Sequence, residues 1–196
     1  MRKLSVLLML LALFTLTSNG QKTTTNHKSG LDIGENCPSF GPTHLSGPDH
    51  GKKTCPMCAY GQDQGVLIWL NNDDFKSLAS LSESLESQSQ KRGLRQFRVF
   101  VMYMNPNGLP TKEVERKLQE VADKASLKNV ALTYVPSPKD PGTSAAYRIN
   151  PSPDVRNTFM VYKKRMVIEK QTNVEPTADN LARLIAALDK PASPNQ

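Results

Sequence analysis

The feature that most constrains the fold is a continuous apolar run, Val66-Leu67-Ile68-Trp69-Leu70. A short run of this kind, without alternating polar residues, predicts a central strand that is covered on both faces. Asn71-Asn72-Asp73-Asp74 follows directly and supplies capping side chains and negative charge for the start of a helix. The apolar residues Phe75, Leu78, Ala79, Leu81 and Leu85 then recur at helical spacing. They predict a helix that stops near Gly93.

The rest of the chain continues this alternation of strands and helices. It predicts a strand at 97–104, a helix capped by Thr111 and ended by Asn129, a strand at 130–135, a hairpin of strands 158–162 and 166–169, and a last helix capped by Thr177. The early alternating units indicate parallel strands joined by helical crossovers, and the late hairpin adds antiparallel strands. The predicted fold class is therefore α/β, with a mixed central sheet and helices on both faces.

The N-terminus has the pattern of a secretory signal peptide over residues 1–20. Arg2 and Lys3 precede an apolar run at 4–14, and Ser18-Asn19-Gly20 offers small residues for cleavage. The run is short for a membrane span, so an uncleaved anchor is the less favoured interpretation. We expect an exported protein, periplasmic or secreted, without stable membrane insertion after cleavage. In such an oxidising compartment cysteine pairs persist as disulfides.

Composition and charge favour a soluble globular domain with polar ends. The chain is 38% hydrophobic and 22% charged, with a formal net charge of +7. The basic residues are dispersed and no aromatic-rich basic stripe accompanies them, so we expect no nucleic-acid partner. The predicted segments are a flexible leader at 21–34, one domain at 35–190 consisting of a turn-rich extension at 35–61 and a core at 62–190, and a disordered tail at 191–196.

The order of elements resembles the thioredoxin fold, in the version found in peroxiredoxins and in exported redoxins with an N-terminal extension. The resemblance covers roughly residues 35 to 190. Arg156-Asn157-Thr158-Phe159-Met160-Val161 is similar to the Arg-x-Thr-Phe-Ile-Ile segment of peroxiredoxins. The run from Val66 to Phe75 is similar to the strand and Asp-Phe-Thr turn before their peroxidatic cysteine. The resemblance implies a three-layer sandwich with a loop-rich N-terminal extension.

The chain departs from this family at the standard active site. Ala79 stands where peroxiredoxins place the peroxidatic cysteine, and Lys76 where they place a threonine. A methyl group cannot supply the thiolate nucleophile, so we expect no peroxidase activity. Without that cysteine, Arg156 is expected to form a surface ion pair. The chain instead carries a Cys-x-x-Cys pair, Cys55 and Cys58, before the first core strand.

A redox dithiol is the first interpretation of this pair. Pro56 fits the first position of a helical turn with Cys55 as its cap, so backbone N–H groups would favour the Cys55 thiolate. Lys52 and Lys53 would add positive charge. Cys55 would then be the attacking thiol and Cys58 the resolving one, with Cys37 as a second relay. The implied partner is another protein with redox-active thiols, unidentified by the sequence, and no cofactor is implied.

Two further interpretations use the same cysteines without catalysis. Cys55 and Cys58 could form a zinc site with His44, His50 or Cys37, or a soft copper site with Met57. Alternatively, a disulfide between Cys55 and Cys58, or one that includes Cys37, could pin the extension to the sheet. In either case the protein would be a non-enzymatic binding domain.

Overall fold

The computed structural model describes residues 28–190. The predicted signal peptide, the first part of the predicted leader and the predicted tail at 191–196 lie outside the described residues. Among the helices of the described part, none is long and apolar enough to cross a membrane.

The core of the domain is a six-stranded mixed sheet with the order β1-β4-β3-β2-β5-β6. The central strand β2 runs parallel to β3, and β3 runs parallel to β4, whereas β1, β5 and β6 pair antiparallel with their neighbours. The predicted mixed sheet is therefore confirmed. The strands are β1 (Thr43–His44), β2 (Gln64–Leu70), β3 (Arg98–Tyr103), β4 (Ala131–Tyr134), β5 (Asn157–Lys163) and β6 (Met166–Thr172).

The helices begin and end largely where the sequence indicates. They are α1 (Pro56–Tyr60), α2 (Phe75–Arg92), α3 (Thr111–Lys124) and α4 (Ala178–Ala186), and a 3₁₀ turn, Ala187–Asp189, follows α4. The side chain of Asp74 caps α2, and the side chain of Thr177 caps α4. Gly93 ends α2 with a φ of 81°.

The third helix differs from its prediction at both ends. Thr111 is its first residue rather than its cap, because Pro110 occupies the capping position without a side-chain hydrogen bond. The helix ends at Lys124, well before Asn129, because Ser126 adopts a φ of 49°. The backbone N–H groups of Asn129 and Val130 then donate to the buried carboxylate of Glu86 on α2. This long-range contact leads the chain into β4 and was not visible in the local pattern.

Each face of the sheet has its own apolar core, and the two are covered differently. On one face, alternate strand residues such as Val66 and Ile68 pack with α2, α3 and α4 in what we call the helix-side core. On the other face, Leu67 and Trp69 pack with Met57 of α1 and with loop residues in the extension-side core. Helices on both faces are thus confirmed, although between residues 28 and 190 only the short α1 lies on the second face. Trp69 has no exposed surface.

Residues 28–34 do not form the flexible segment that the sequence predicts. The hydroxyl groups of Ser29 and Thr158 lie 2.6 Å apart in a buried hydrogen bond, and Leu31 is buried in the extension-side core. Gly30 adopts a φ of +82°, and a Cβ there would lie 3.0 Å from the Met160 sulfur. Residues 28–34 are ordered because strand β5, which is distant in the chain, supplies a hydrogen-bond partner at Thr158 and apolar contact at Met160.

Candidate active site

The cysteine pair lies at the start of α1, as the sequence predicts. Cys55 is the capping residue in extended backbone conformation, and Pro56 occupies the first turn. The two cysteines form a disulfide with a Cα–Cα distance of 5.2 Å. The backbone N–H of Cys58 donates to the Cys55 sulfur at 3.0 Å. Such a contact stabilises a thiolate on Cys55 when the disulfide opens.

The helix is anchored by Met57, which leaves the disulfide at the surface. Met57 is 1% exposed and belongs to the extension-side core. Cys55 is half-buried and packs against the same core, whereas Cys58 is exposed. Solvent and other molecules therefore reach the disulfide from the side of Cys58.

A polar network fixes the far end of α1. The hydroxyl of Tyr60 donates to Asp49 at 2.8 Å, and its ring stacks on Phe100 with ring centroids 6.2 Å apart. The Arg98 guanidinium lies 4.0 Å from the centre of the Tyr60 ring and pairs with Asp63 at 2.9 Å. Partial burial, and then the bond to Asp49, raise the pKa of Tyr60, so its hydroxyl remains a donor. No local pattern predicts this network, because its members come from three separate stretches of the chain, at 49, 60–63 and 98–100.

Gly61 allows the β5–β6 turn to pack on the end of α1. A Cβ at this position would lie 2.7 Å from Cγ of Arg165, closer than real Cβ contacts. The glycine that stops α1 thus also makes room for a basic side chain from the distant turn. A glycine directly after the helix was the only local signal of this contact.

His44 supports the residue before the disulfide. Its ring is fully buried on β1, and Nε2 lies 3.0 Å from the carbonyl oxygen of Thr54. A carbonyl only accepts, so Nε2 carries the proton, and Nδ1 has no hydrogen-bond partner among the described residues. Burial lowers the pKa of His44, against smaller opposing effects of Thr54 and Asp49. His44 is therefore a neutral support for the chain that leads into Cys55.

We expect the stability of the protein to depend on pH through His44. Its folded-state pKa lies below the ordinary value of 6.5, so the unfolded chain takes up the proton first as the pH falls. The free energy of unfolding should be constant above about pH 7.5 and should decline as the pH falls through 6.5 towards 5.5. Urea unfolding at several pH values would measure this, and His44→Gln should remove the decline.

The matched control is His50→Gln, because His50 is exposed in the neighbouring turn. This variant should keep the pH dependence of the parent protein. An unchanged decline in His44→Gln would show that another group is responsible.

Cys37 lies in the extension-side core as a free, buried thiol. It is 3% exposed, and burial raises its pKa to about 12 despite the opposing effects of Arg165 and Tyr147. A thiol with this pKa is neutral at physiological pH and a poor nucleophile. In this position Cys37 is not accessible to a partner protein, as its predicted role as a second relay would require.

The metal interpretation is not supported by the placement of its ligands. Between residues 28 and 190, no group of three or more His, Cys, Asp or Glu side chains is arranged to hold a metal ion. Nε2 of His44 is engaged by Thr54, and His50 is exposed in a turn. Met57, the suggested copper ligand, is buried in the apolar core.

The position of the peroxiredoxin nucleophile is part of the hydrophobic core. Ala79 is 7% exposed and packs in the helix-side core. Asp74 occupies the start of α2 by accepting from Ser77, so that helix terminus already has a negative charge. Arg156 forms an exposed ion pair with Glu175 at 2.6 Å, as predicted.

No protein-family profile matches the chain, and no curated protein matches it in sequence. Solved structures do match its fold. An uncharacterised conserved protein from Geobacillus kaustophilus superposes with a TM-score of 0.61 at 12% identity, over 87% of this chain and 90% of that one. A yeast mitochondrial 1-Cys peroxiredoxin gives 0.56 at 16% identity, over 81% and 76%.

A protein from Chlorobium tepidum assigned as thiol:disulfide interchange protein DsbE gives a TM-score of 0.52 at 14% identity, over 81% of this chain and 99% of that one. At these identities the similarity defines the fold and not the activity. The chain therefore has a thioredoxin-like fold, as its element order indicated.

Proposed function

We propose that the protein is an exported thiol–disulfide oxidoreductase or electron carrier that acts on another protein through Cys55 and Cys58. The observation that carries the proposal is a disulfide at the start of a helix, with one sulfur held beside a backbone N–H and the other residue exposed. The thioredoxin fold and its redoxin-like neighbours add support. Export is proposed on the signal-peptide pattern of residues 1–20.

The reaction requires only two thiols from the partner. A partner thiolate attacks one sulfur, the bond between Cys55 and Cys58 breaks, and a mixed disulfide forms while the other cysteine leaves as a thiolate. The second partner thiolate then attacks its own sulfur in the mixed disulfide. The partner gains a disulfide and this protein gains two thiols, so two electrons have moved. The reverse sequence oxidises this protein.

A purely structural role explains the disulfide less well. The bond joins residues only three positions apart, so it closes a very short loop. Chain-entropy reasoning gives such a loop about 2 kcal/mol of stabilisation at most. The extension is attached to the rest of the domain by other contacts, including the Cys37 N–H to the Arg165 carbonyl at 2.8 Å and the Tyr147 hydroxyl to the Pro38 carbonyl at 2.7 Å. The disulfide between Cys55 and Cys58 therefore does not attach the extension to the sheet as the structural interpretation predicts.

The reduction potential of the mature protein tests the proposal. Equilibration with glutathione redox buffers should give a value between about −270 and −120 mV, the range of catalytic dithiols. The backbone N–H beside the Cys55 sulfur stabilises the thiolate and therefore the reduced form of the protein. This effect favours a reduction potential within that range. A potential below about −300 mV would mark the bond as structural and contradict the proposal.

A further inference from the structure

The two sulfurs of the disulfide differ in access and in their surroundings. Cys58 is exposed, whereas Cys55 is half-buried and packs against the extension-side core. An attacking thiolate must approach along the line of the disulfide bond, so access decides which sulfur it meets. An approaching molecule therefore meets Cys58 before Cys55.

The environment of Cys55 suits a leaving group. The N–H of Cys58 donates to its sulfur at 3.0 Å, and this contact persists as the sulfur gains negative charge. A leaving thiol with a lower pKa departs faster in disulfide exchange. Access and leaving ability thus favour the same direction of cleavage.

We propose that partner thiols attack Cys58 and that Cys55 is the leaving thiolate, a polarity opposite to the one that the sequence alone favours. This inference rests on the proposed redox function. The partner sulfur forms a bond with Sγ of Cys58, the bond between Cys58 and Cys55 breaks, and its electron pair stays on the Cys55 sulfur. The proton of the partner thiol goes to solvent when that thiol ionises. The second partner thiolate later releases Cys58, which takes a proton from solvent.

Basic residues close to the pair in sequence favour the same step. Lys52 and Lys53 are exposed shortly before Cys55, and neither forms an ion pair with another residue of the described chain. Arg165 reaches the other end of α1 at Gly61. A basic surface on this part of the extension raises the local concentration of thiolates.

The test uses the oxidised protein in a Cys37→Ala background, with glutathione as the attacking thiol. Acid quenching at short times, alkylation of free thiols and peptide mass spectrometry would show which cysteine carries glutathione. We expect glutathione on Cys58 and the alkyl group on Cys55, in a ratio of at least about ten to one. An excess on Cys55, or an equal distribution, would overturn the assignment while the redox function stands.

Two single-serine variants in the same background provide a second measurement. Compared as the rate constant per thiolate, taken from the plateau of the rate at high pH, Cys55→Ser should form a mixed disulfide with oxidised glutathione, through Cys58, at least about tenfold faster than Cys58→Ser does through Cys55. A faster reaction of Cys58→Ser would contradict the inference. No mixed disulfide in either variant, with both folded by circular dichroism, would contradict the proposed function itself.

Discussion

Gly65→Ala is expected to destabilise the protein more than alanine at any other glycine between residues 28 and 190. Gly65 lies on the central strand β2 opposite Arg98 of β3. A Cβ there would overlap the Arg98 carbonyl oxygen and lie 2.8 Å from its carbonyl carbon. The neighbouring backbone cannot move aside without breaking the β2–β3 pairing. We expect the free energy of unfolding to fall by at least about 3 kcal/mol, measured by urea unfolding.

Gly41→Ala is the matched control for this substitution. A Cβ at Gly41 would have no neighbouring atom within 4 Å, and its backbone is not in the left-handed region. Its stability should be unchanged or raised by up to about 1 kcal/mol, because alanine restricts the unfolded chain. A Gly65→Ala variant as stable as Gly41→Ala would show that β2 and β3 are further apart than the structure places them.

The double variant Cys55→Ser, Cys58→Ser is expected to lose at least about a hundredfold in the rate of disulfide reduction. Serine cannot form the mixed disulfide, and neither residue contributes a large apolar surface to the core. The fold should therefore persist. Reduction of insulin disulfides by dithiothreitol, with the protein in catalytic amounts, would measure the loss.

Cys37→Ala is the control for that assay, because Cys37 is the remaining cysteine and is buried. It should keep the parent rate within about threefold, with only a modest loss of stability from the small cavity. Activity that survives the double variant but not Cys37→Ala would place the reactive thiol in the core and contradict the proposed site.

Much of the fold is encoded in short stretches of the sequence. The apolar run at 66–70 lies within β2, Asp74 caps α2, Gly93 ends it, and Thr177 caps α4. The Cys-Pro pair likewise predicted the start of α1 with Cys55 as its cap. These features were predictable because strand periodicity and helix capping depend on residues within a few positions of one another.

Other features depend on residues that are distant in the chain. The end of α3 is set by Ser126 and by Glu86 from another helix, and residues 28–34 are held by β5 and by the Arg148 carbonyl. The sequence could not predict these contacts because no local pattern records which side chain will face a segment after folding.

The sequence by itself determined the order of the strands β2 to β6 and of the helices α2 to α4, the absence of a cysteine at position 79 and the presence of a dithiol before the core. Only the tertiary structure decided how that dithiol is presented: Cys58 exposed, Cys55 half-buried, and Cys37 enclosed in the extension-side core. The physical reason is that exposure and thiol pKa depend on burial and on charges brought together by folding. Arg165 beside Gly61 and Asp49 beside Tyr60 are such contacts.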